Sequence, residues 1–223
     1  MLEASYVSAV VARSQLALFS QETLGIDESF SSLKRLELAD GAWLDYGQDF
    51  LRGHEQLLEE LVSRVSWRQE KRPMYERVVA VPRLYATLPH DGPVPPVLES
   101  ARRAISARYG ENFSRLSLGY YRSGQDSVAW HGDYVARRLQ SATVATISVG
   151  APRTFQLRRK AGRDRITLAL GWGDLLVMGG TCQRTWEHAV PKTRQAAARI
   201  AIMFRPVWHD PAAPLRQPGS LSD

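Results

Sequence analysis

His131, Gly132 and Asp133 have the types and the spacing of a metal-binding pair of side chains. In an extended segment, side chains two positions apart project from the same face, so the histidine and the aspartate can approach one ion from one side. The glycine between them leaves room behind the pair. A single motif of this kind is common, and the alternative interpretation is a surface pair in a turn. A metal site therefore needs a third ligand from elsewhere in the chain.

His188 is the predicted third ligand. The other histidines have less promising settings: His54 opens a predicted helix, His90 lies in a proline-flanked loop, and His209 lies in the tail. His188 follows the segment DLLVMGGTCQRTWE, which predicts a position at a strand start on the mouth side of a barrel. Two histidines and one carboxylate leave three coordination positions open on Fe(II), although zinc in a hydrolase can use the same ligands.

The segment RIAIMFR, residues 199–205, carries two arginines at an even spacing. On a strand, Arg199 and Arg205 would point to one face, and the large apolar residues between them to the other. Guanidinium groups on an interior face need anions, and a dicarboxylate binds guanidinium in bidentate fashion. The alternative is that both arginines lie on a solvated outer face. The order of the motifs along the chain favours the interior site.

The elements that must position these residues fall into two parts. Helical spacing of apolar residues predicts amphipathic helices at 53–67 and 95–109, and strands are predicted at 77–87 and around the turn at Asp40-Gly41. From residue 114 onward, short β-type runs alternate with glycine-containing turns, which favours an antiparallel sandwich or barrel. We predict an α+β fold, one structural domain overall. It has a region 1–112 packed on a jelly-roll core at 113–207 and a loosely ordered tail at 208–223.

Composition restricts the class of protein. The 223 residues carry a net charge of +6 and include one cysteine, Cys182, which rules out an internal disulfide. We expect a cytoplasmic monomer without membrane association, since no secretory signal or spanning apolar run is visible. Basic residues concentrate at 153–165, and such a segment is either a solvated hairpin tip or a phosphate-contacting loop.

Taken together, these motifs resemble the AlkB family of Fe(II)/2-oxoglutarate-dependent nucleic-acid dealkylases, in particular its bacterial members and the relatives of the human repair homologues. The resemblance rests on four segments and extends more weakly to PRLYAT at 82–87. The four segments are YRSGQDSVAWHGD (121–133), SVGAPRTFQLRRK (148–160), GDLLVMGGTCQRTWEHAVPK (173–192) and ARIAIMFRP (198–206).

The resemblance implies a double-stranded β-helix (jelly-roll) core under an N-terminal nucleotide-recognition region. It implies that His131, Asp133 and His188 bind Fe(II), with no catalytic residue beyond these ligands. Arg199 would pair with the distal carboxylate of 2-oxoglutarate, helped by the Tyr121 hydroxyl, and Arg205 would lie toward the other carboxylate. With O2 as oxidant, the implied reaction hydroxylates an N-alkyl group on a damaged DNA or RNA base and releases an aldehyde.

The candidate nucleic-acid contacts are more weakly supported by the resemblance. They comprise four basic residues of the 153–165 segment and two tyrosines that could stack on a base: Arg158, Arg159, Lys160, Arg163, Tyr85 and Tyr134. The acidic base-reading residue that several family members carry beyond the H-x-D motif is absent here. The resemblance therefore supports the reaction of the family more strongly than it supports the substrate.

A second departure concerns the co-substrate. Gly119 stands where the family usually has an asparagine whose amide reaches 2-oxoglutarate. Losing one neutral hydrogen bond typically costs about 1 kcal/mol, so weaker rather than absent binding is expected, and Gly119→Asn is predicted to leave the affinity unchanged or to tighten it. Two alternative functions stay open: an oxygenase of this type acting on a non-nucleic-acid substrate, and a nucleic-acid-binding module that has lost turnover.

Overall fold

The computed structural model describes residues 23–74, 77–134 and 136–208, and it describes side chains outside 70–80. His209 and most of the predicted tail lie outside the described residues. No helix in the described ranges has the length and apolarity needed to cross a bilayer.

Three helices lie in the described residues. They are α1 (His54–Arg64), α2 (Pro96–Tyr109) and the short α3 (Cys182–Thr185). Helix α2 begins with a proline in its first turn and ends at Gly110, which adopts the left-handed conformation at φ 67°. Proline is pre-organised for a helix start, and glycine adopts the left-handed region without steric cost, so the sequence itself fixes both ends.

Fourteen strands accompany these helices in the described residues. The strands of the first half are β1 (Gly25–Ile26), β2 (Lys34–Glu37), β3 (Ala42–Gly47), β4 (Leu51–Arg52), β5 (Arg68–Met74) and β6 (Arg77–Leu88). Those of the second half are β7 (Arg115–Tyr121), β8 (Val128–His131), β9 (Val144–Gly150), β10 (Arg153–Arg159), β11 (Arg165–Leu170), β12 (Asp174–Gly180), β13 (Trp186–Val190) and β14 (Arg199–Arg205).

Two antiparallel sheets form the body of the protein. The large sheet has the order β2-β3-β12-β9-β14-β7-β6-β5, and the small sheet has the order β11-β10-β13-β8. Strand β14 therefore lies inside the large sheet, paired on both sides with β7 and β9. The strands β2, β3, β5 and β6 come from the predicted N-terminal region, so that region extends the sheet of the core directly.

Two apolar cores cover the two faces of the large sheet. One lies between the sheet and helices α1 and α2, where Leu57 and Ile105 meet Ile147 and Ile200. The other lies between the two sheets and contains Tyr121, Phe155, Leu176 and Met178 among its buried residues. The space between the sheets also contains the candidate site. This arrangement is the predicted α+β fold with a jelly-roll core.

Candidate metal and anion site

A cavity of about 640 Å³ opens between the two sheets. Both sheets contribute to its wall, and the predicted metal and co-substrate residues all line it. They are Tyr121, His131, Asp133, His188, Arg199 and Arg205. The fold thus brings together residues that are as far apart as 84 positions in the sequence, from strands β7, β8, β13 and β14 and the turn after β8.

The two histidines lie opposite each other on neighbouring strands. His188 of β13 is the register partner of His131 of β8, and their ring centroids are 4.3 Å apart. His131 Nδ1 lies 2.8 Å from the carbonyl oxygen of Ala129, so Nδ1 donates, and in the neutral form of the ring Nε2 is the nitrogen with the lone pair. Burial lowers the pKa of His188 well below its usual value, and the charges of His131, Arg205 and Arg83 lower it further. Neutral imidazole is the form that binds metal ions.

Asp133 lies two positions after His131, and hydrogen bonds hold both its carboxylate and its backbone. Its Oδ2 accepts a hydrogen bond from Arg205 Nε at 2.5 Å, and its backbone N–H donates to Gln183 Oε1 at 2.9 Å. A Cβ at Gly132 would lie 2.4 Å from the backbone oxygen of Gln183, so only glycine fits between the two ligand candidates. Among the described residues no three His, Cys, Asp or Glu side chains gather as a metal-binding group. The structure brings the histidines together and directs the Asp133 carboxylate to Arg205.

Arg199 is a buried guanidinium with incomplete hydrogen bonding. Its residue is 1% exposed, and Nη2 donates to Ser148 Oγ at 2.6 Å. Its Nε and Nη1 have no hydrogen-bond partner in the described part of the chain. Burial lowers the pKa of Arg199 to about 10, with Arg153 and Arg83 adding repulsion. A buried charge with two unused donors is costly, and a bound carboxylate would supply the missing acceptors.

The strand alternation predicted for 199–205 is present. Arg199 and Arg205 line the cavity, whereas Ile200, Ile202 and Phe204 lie in the core under the helices. The alternative of a solvated outer face is therefore excluded. Arg205 uses Nη1 to donate to Ser117 Oγ at 2.5 Å and Nε to bind Asp133, so it links the predicted metal ligand to the anion-binding wall.

Tyr121 completes the anion-binding wall. It is the register partner of Arg199, it is 1% exposed, and its ring centroid lies 5.3 Å from Arg199 Cζ. The hydroxyl of Tyr121 accepts a hydrogen bond from Arg83 Nη1 at 3.1 Å. Sequence reasoning did not identify Arg83 or Gln183, although PRLYAT was noted as a weak part of the resemblance. Their roles depend on contacts between distant segments, which no local pattern reveals.

The two candidate stacking tyrosines also line the cavity. Tyr85 lies on β6 and is partly buried, whereas Tyr134 is 59% exposed. The Tyr134 hydroxyl accepts from Arg138 Nη2 at 2.6 Å, and the guanidinium carbon of Arg137 lies 5.0 Å from its ring centroid. The structure therefore places an exposed aromatic ring, with two cations close to it, on the wall of the cavity.

The basic segment 153–165 forms the β10–β11 hairpin, and much of its charge has partners within the protein. Arg158 binds Glu187 Oε2 through two nitrogens at 2.8 and 3.0 Å, and Arg159 binds both oxygens of Asp40 at 2.7 and 2.8 Å. Lys160 donates to the carbonyl oxygen of Arg184 at 2.7 Å, and Arg163 is exposed near the turn.

Arg153, the first arginine of the hairpin segment, has a structural role. It is 2% exposed and donates to the backbone oxygens of Ser123, Asp126 and Pro191 at 2.8 to 2.9 Å. Burial lowers its pKa, and Tyr121 and Asp126 oppose this effect. Its charge contributes to the potential of the cavity and is not presented to solvent.

Comparison with known families shows the superfamily to which the chain belongs. A family model described as the 2OG-Fe(II) oxygenase superfamily matches residues 64–205, which include every predicted metal and co-substrate residue. The chain belongs to this superfamily. Membership implies Fe(II) and 2-oxoglutarate, and the buried guanidinium of Arg199 with its two unused donors fits a carboxylate co-substrate.

Two individual relatives carry the name AlkB or ALKBH and show the closer similarity within the superfamily. The chain is 32% identical over 177 residues to the human alpha-ketoglutarate-dependent dioxygenase alkB homolog 3, a match that covers 70% of this chain and 62% of that protein. It is 31% identical over 135 residues to the Arabidopsis thaliana DNA oxidative demethylase ALKBH2, covering 50% and 43%. The chain thus spans less than two thirds of the length of these relatives. The predicted AlkB-like resemblance is confirmed.

Structural similarity supports the fold. The solved structure of OsALKBH1 aligns with a TM-score of 0.53 at 16% identity and covers 78% of this chain and 100% of that one. Similarity at this identity concerns the fold alone. With the family match, it confirms the predicted α+β class and double-stranded β-helix core.

Proposed function

We propose that the protein is an Fe(II)- and 2-oxoglutarate-dependent dioxygenase that demethylates N-alkylated bases in DNA or RNA. The observation that carries this proposal is the pairing, in one cavity, of two contacting histidines with the buried and incompletely bonded guanidinium of Arg199. One half of this arrangement suits a metal, and the other suits a dicarboxylate. The substrate class is supported by the similarity to the Arabidopsis thaliana DNA oxidative demethylase ALKBH2.

His131, Asp133 and His188 are the proposed ligands of Fe(II). The two imidazole rings are adjacent, and burial favours the neutral form of His188, which is the form that binds a metal ion. Among the described residues that line the cavity, Asp133 is the only acidic one, and it lies two positions from His131 on a turn that Gln183 contacts. In this proposal Arg205 positions the Asp133 carboxylate as well as contacting the co-substrate.

Arg199 and Tyr121 are the proposed partners of the distal carboxylate of 2-oxoglutarate, and Arg205 lies toward the other end. When bound, Fe(II) with 2-oxoglutarate and O2 supplies the oxidation, in which 2-oxoglutarate becomes succinate and CO2 while one oxygen atom enters an N-alkyl C–H bond. The resulting hydroxyalkyl group leaves as an aldehyde: its hydroxyl loses a proton to water, the C–N bond breaks, and the electron pair of that bond returns to the ring nitrogen. The residues of the chain bind and orient the reactants and exclude water between the sheets.

Tyr85 and Tyr134 are the proposed contacts of the damaged base, since both line the cavity wall. A base in a duplex must leave the stack to reach such a cavity, at a cost of a few kcal/mol, and aromatic rings offset part of that cost by stacking. Arg158, Arg159, Lys160 and Arg163 remain the proposed phosphate contacts of the hairpin, and the ion pairs of Arg158 and Arg159 reduce what those two residues add to binding. We further propose that the protein acts as a cytoplasmic monomer. Sedimentation of the purified chain would test the monomeric state.

The proposal is tested by incubating the purified protein with Fe(II), 2-oxoglutarate and oligonucleotides that carry N1-methyladenine or N3-methylcytosine. Succinate is quantified, and loss of the methyl group is followed by mass. We expect both products, with single- and double-stranded oligonucleotides compared in parallel. Succinate without demethylation would redirect the assignment to an oxygenase with another substrate. Oligonucleotide binding without succinate would support a binding module.

A further inference from the structure

Arg83 occupies space that the absence of a side chain at Gly119 leaves open. The two residues lie on neighbouring strands, since Leu84 and Tyr85 of β6 pair with Tyr120 and Gly119 of β7. A Cβ at position 119 would lie 3.2 Å from Arg83 Nη1 and 3.8 Å from its Cζ. The guanidinium of Arg83 therefore lies over the glycine, on the cavity side of the large sheet.

Arg83 resembles Arg199 in its incomplete hydrogen bonding. Its residue is 8% exposed, Nη1 donates to the Tyr121 hydroxyl at 3.1 Å, and Nε is buried without a partner in the described residues. Neither Arg83 nor Arg199 forms a salt bridge with a carboxylate in the described ranges. Two buried cations with unused donors thus face one cavity.

The ring of Tyr121 lies among three guanidinium groups. Their Cζ atoms are 5.3 Å (Arg199), 5.5 Å (Arg153) and 5.9 Å (Arg83) from the ring centroid. Arg153 donates to three backbone oxygens, so its hydrogen-bonding capacity is largely used within the protein. Arg83 and Arg199 repel each other enough that Arg83 contributes to lowering the pKa of Arg199. A carboxylate between them would relieve the repulsion and accept their free N–H groups.

We propose that Arg83 is a second co-substrate-binding guanidinium, which holds the distal carboxylate of 2-oxoglutarate together with Arg199 and Tyr121. This inference rests on the proposed function and adds a specificity residue to it. A carboxylate has about four acceptor positions, so it can accommodate donors from two guanidiniums and one hydroxyl. The consequence is selection of a dicarboxylate over 2-oxo acids that lack the second carboxyl group.

The test compares two ligands that differ only at the distal end. Affinities for 2-oxoglutarate and for 2-oxobutanoate, which lacks the distal carboxylate, are measured by calorimetry on the Mn(II)-loaded protein. We expect Arg83→Ala to weaken 2-oxoglutarate binding tenfold or more and 2-oxobutanoate binding less than twofold. Arg115→Ala is the matched control, because it removes one exposed positive charge from the rim of the same cavity. Its 2-oxoglutarate affinity should stay within twofold of wild type.

Further variants separate a direct contact from a structural role. If Arg83 acts only by holding the Tyr121 hydroxyl, Arg83→Ala will not change the affinity for 2-oxoglutarate in a Tyr121→Phe background. The proposal expects that affinity to fall severalfold further. Arg83→Lys keeps the charge and should retain part of the preference for the dicarboxylate. It replaces the alanine variant in the test if Arg83→Ala has a lower melting temperature than the wild-type protein. Equal losses for both acids, or an unchanged affinity for 2-oxoglutarate, would overturn the inference. Failure of the wild-type protein to bind 2-oxoglutarate would instead overturn the proposed function.

Discussion

The protein contains two concentrations of positive charge, and they differ in how that charge is partnered. On the inner wall of the cavity, Arg83 and Arg199 are buried and keep N–H groups that have no acceptor among the described residues. On the β10–β11 hairpin, Arg158 and Arg159 are partly exposed and bind the carboxylates of Glu187 and Asp40. The segment 153–165 has six basic residues, but the two buried guanidiniums of the cavity wall keep N–H donors that no described group accepts.

This contrast shows that the number of cations in a region does not determine how strongly the region binds an anion. A buried guanidinium loses its hydration free energy, and only hydrogen bonds and charges within the site can compensate for the loss. A buried guanidinium with unused donors therefore binds an added carboxylate strongly. An exposed ion pair contributes about 0–1 kcal/mol and already neutralises its cation. We therefore expect changes to the cavity to have large effects, and changes to the hairpin to have small ones.

The largest effect is expected for Asp133→Ala. This substitution removes the proposed anionic metal ligand and leaves Arg205 Nε without its carboxylate. Succinate formation should fall to the background level, and bound Fe(II), measured with a chromogenic chelator, should fall with it. Asp164→Ala, on the hairpin, is the matched control and should turn over like wild type. Wild-type succinate formation by the Asp133 variant would exclude the assigned metal site.

Arg199→Ala is expected to have the next largest effect. Removing one partner of a desolvated ion pair costs about 3–5 kcal/mol, which at ~1.4 kcal/mol per decade is a hundredfold or more in the dissociation constant of 2-oxoglutarate. Direct titration measures this change. Arg165→Ala removes an exposed arginine from the hairpin and should leave the constant within twofold. A small effect of Arg199→Ala would mean that the cavity wall is not the co-substrate site.

Gly119→Asn should have a moderate effect whose sign depends on Arg83. The sequence alone predicts that the affinity for 2-oxoglutarate is unchanged or improved, but the structure places the Arg83 guanidinium where the new side chain would go. We expect a severalfold weaker affinity in the wild-type background, since the asparagine displaces a charged donor. In an Arg83→Ala background the same substitution should tighten binding, by roughly fivefold for one recovered hydrogen bond of about 1 kcal/mol. Equal effects in both backgrounds would show that the two side chains do not share the space.

The smallest effect is expected on the hairpin. Charge alone predicts that replacing Arg158 and Arg159 together flattens the dependence of log affinity for an oligonucleotide on log salt by nearly two units, at ~0.7–0.9 per phosphate contact. Because Glu187 and Asp40 already neutralise these arginines, we expect a change of less than about one unit. Arg163→Ala, at the exposed turn, should alone change the slope by about 0.7–0.9. A change near two units for the double variant would mean that the ion pairs open on binding.

The local features of the fold were predictable from the sequence. The helices at 54–64 and 96–109 agree closely with the apolar spacing, proline and glycine signals that predicted them. The assignment of Arg199 and Arg205 to one face of β14 followed from an even spacing. These features depend on backbone periodicity within a few residues, which the order of residue types encodes directly. Strands β5 and β8 were not predicted as separate runs, because they are short or carry no clear alternation, and of β13 only a strand start at His188 was predicted.

Contacts between distant segments were decided only by the tertiary structure. Arg159 pairs with Asp40 across 119 positions, Asp133 with Arg205 across 72, and Tyr121 with Arg83 across 38. Some arginines form ion pairs with carboxylates, and others face the cavity. The packing and register of the two sheets decide which arginine does which, because they bring distant segments together. The sequence alone determined which residues have suitable chemistry and on which face of a strand they lie. The packing of the sheets determined which of them are left with unused donors, because desolvation and pairing are properties of the assembled surroundings.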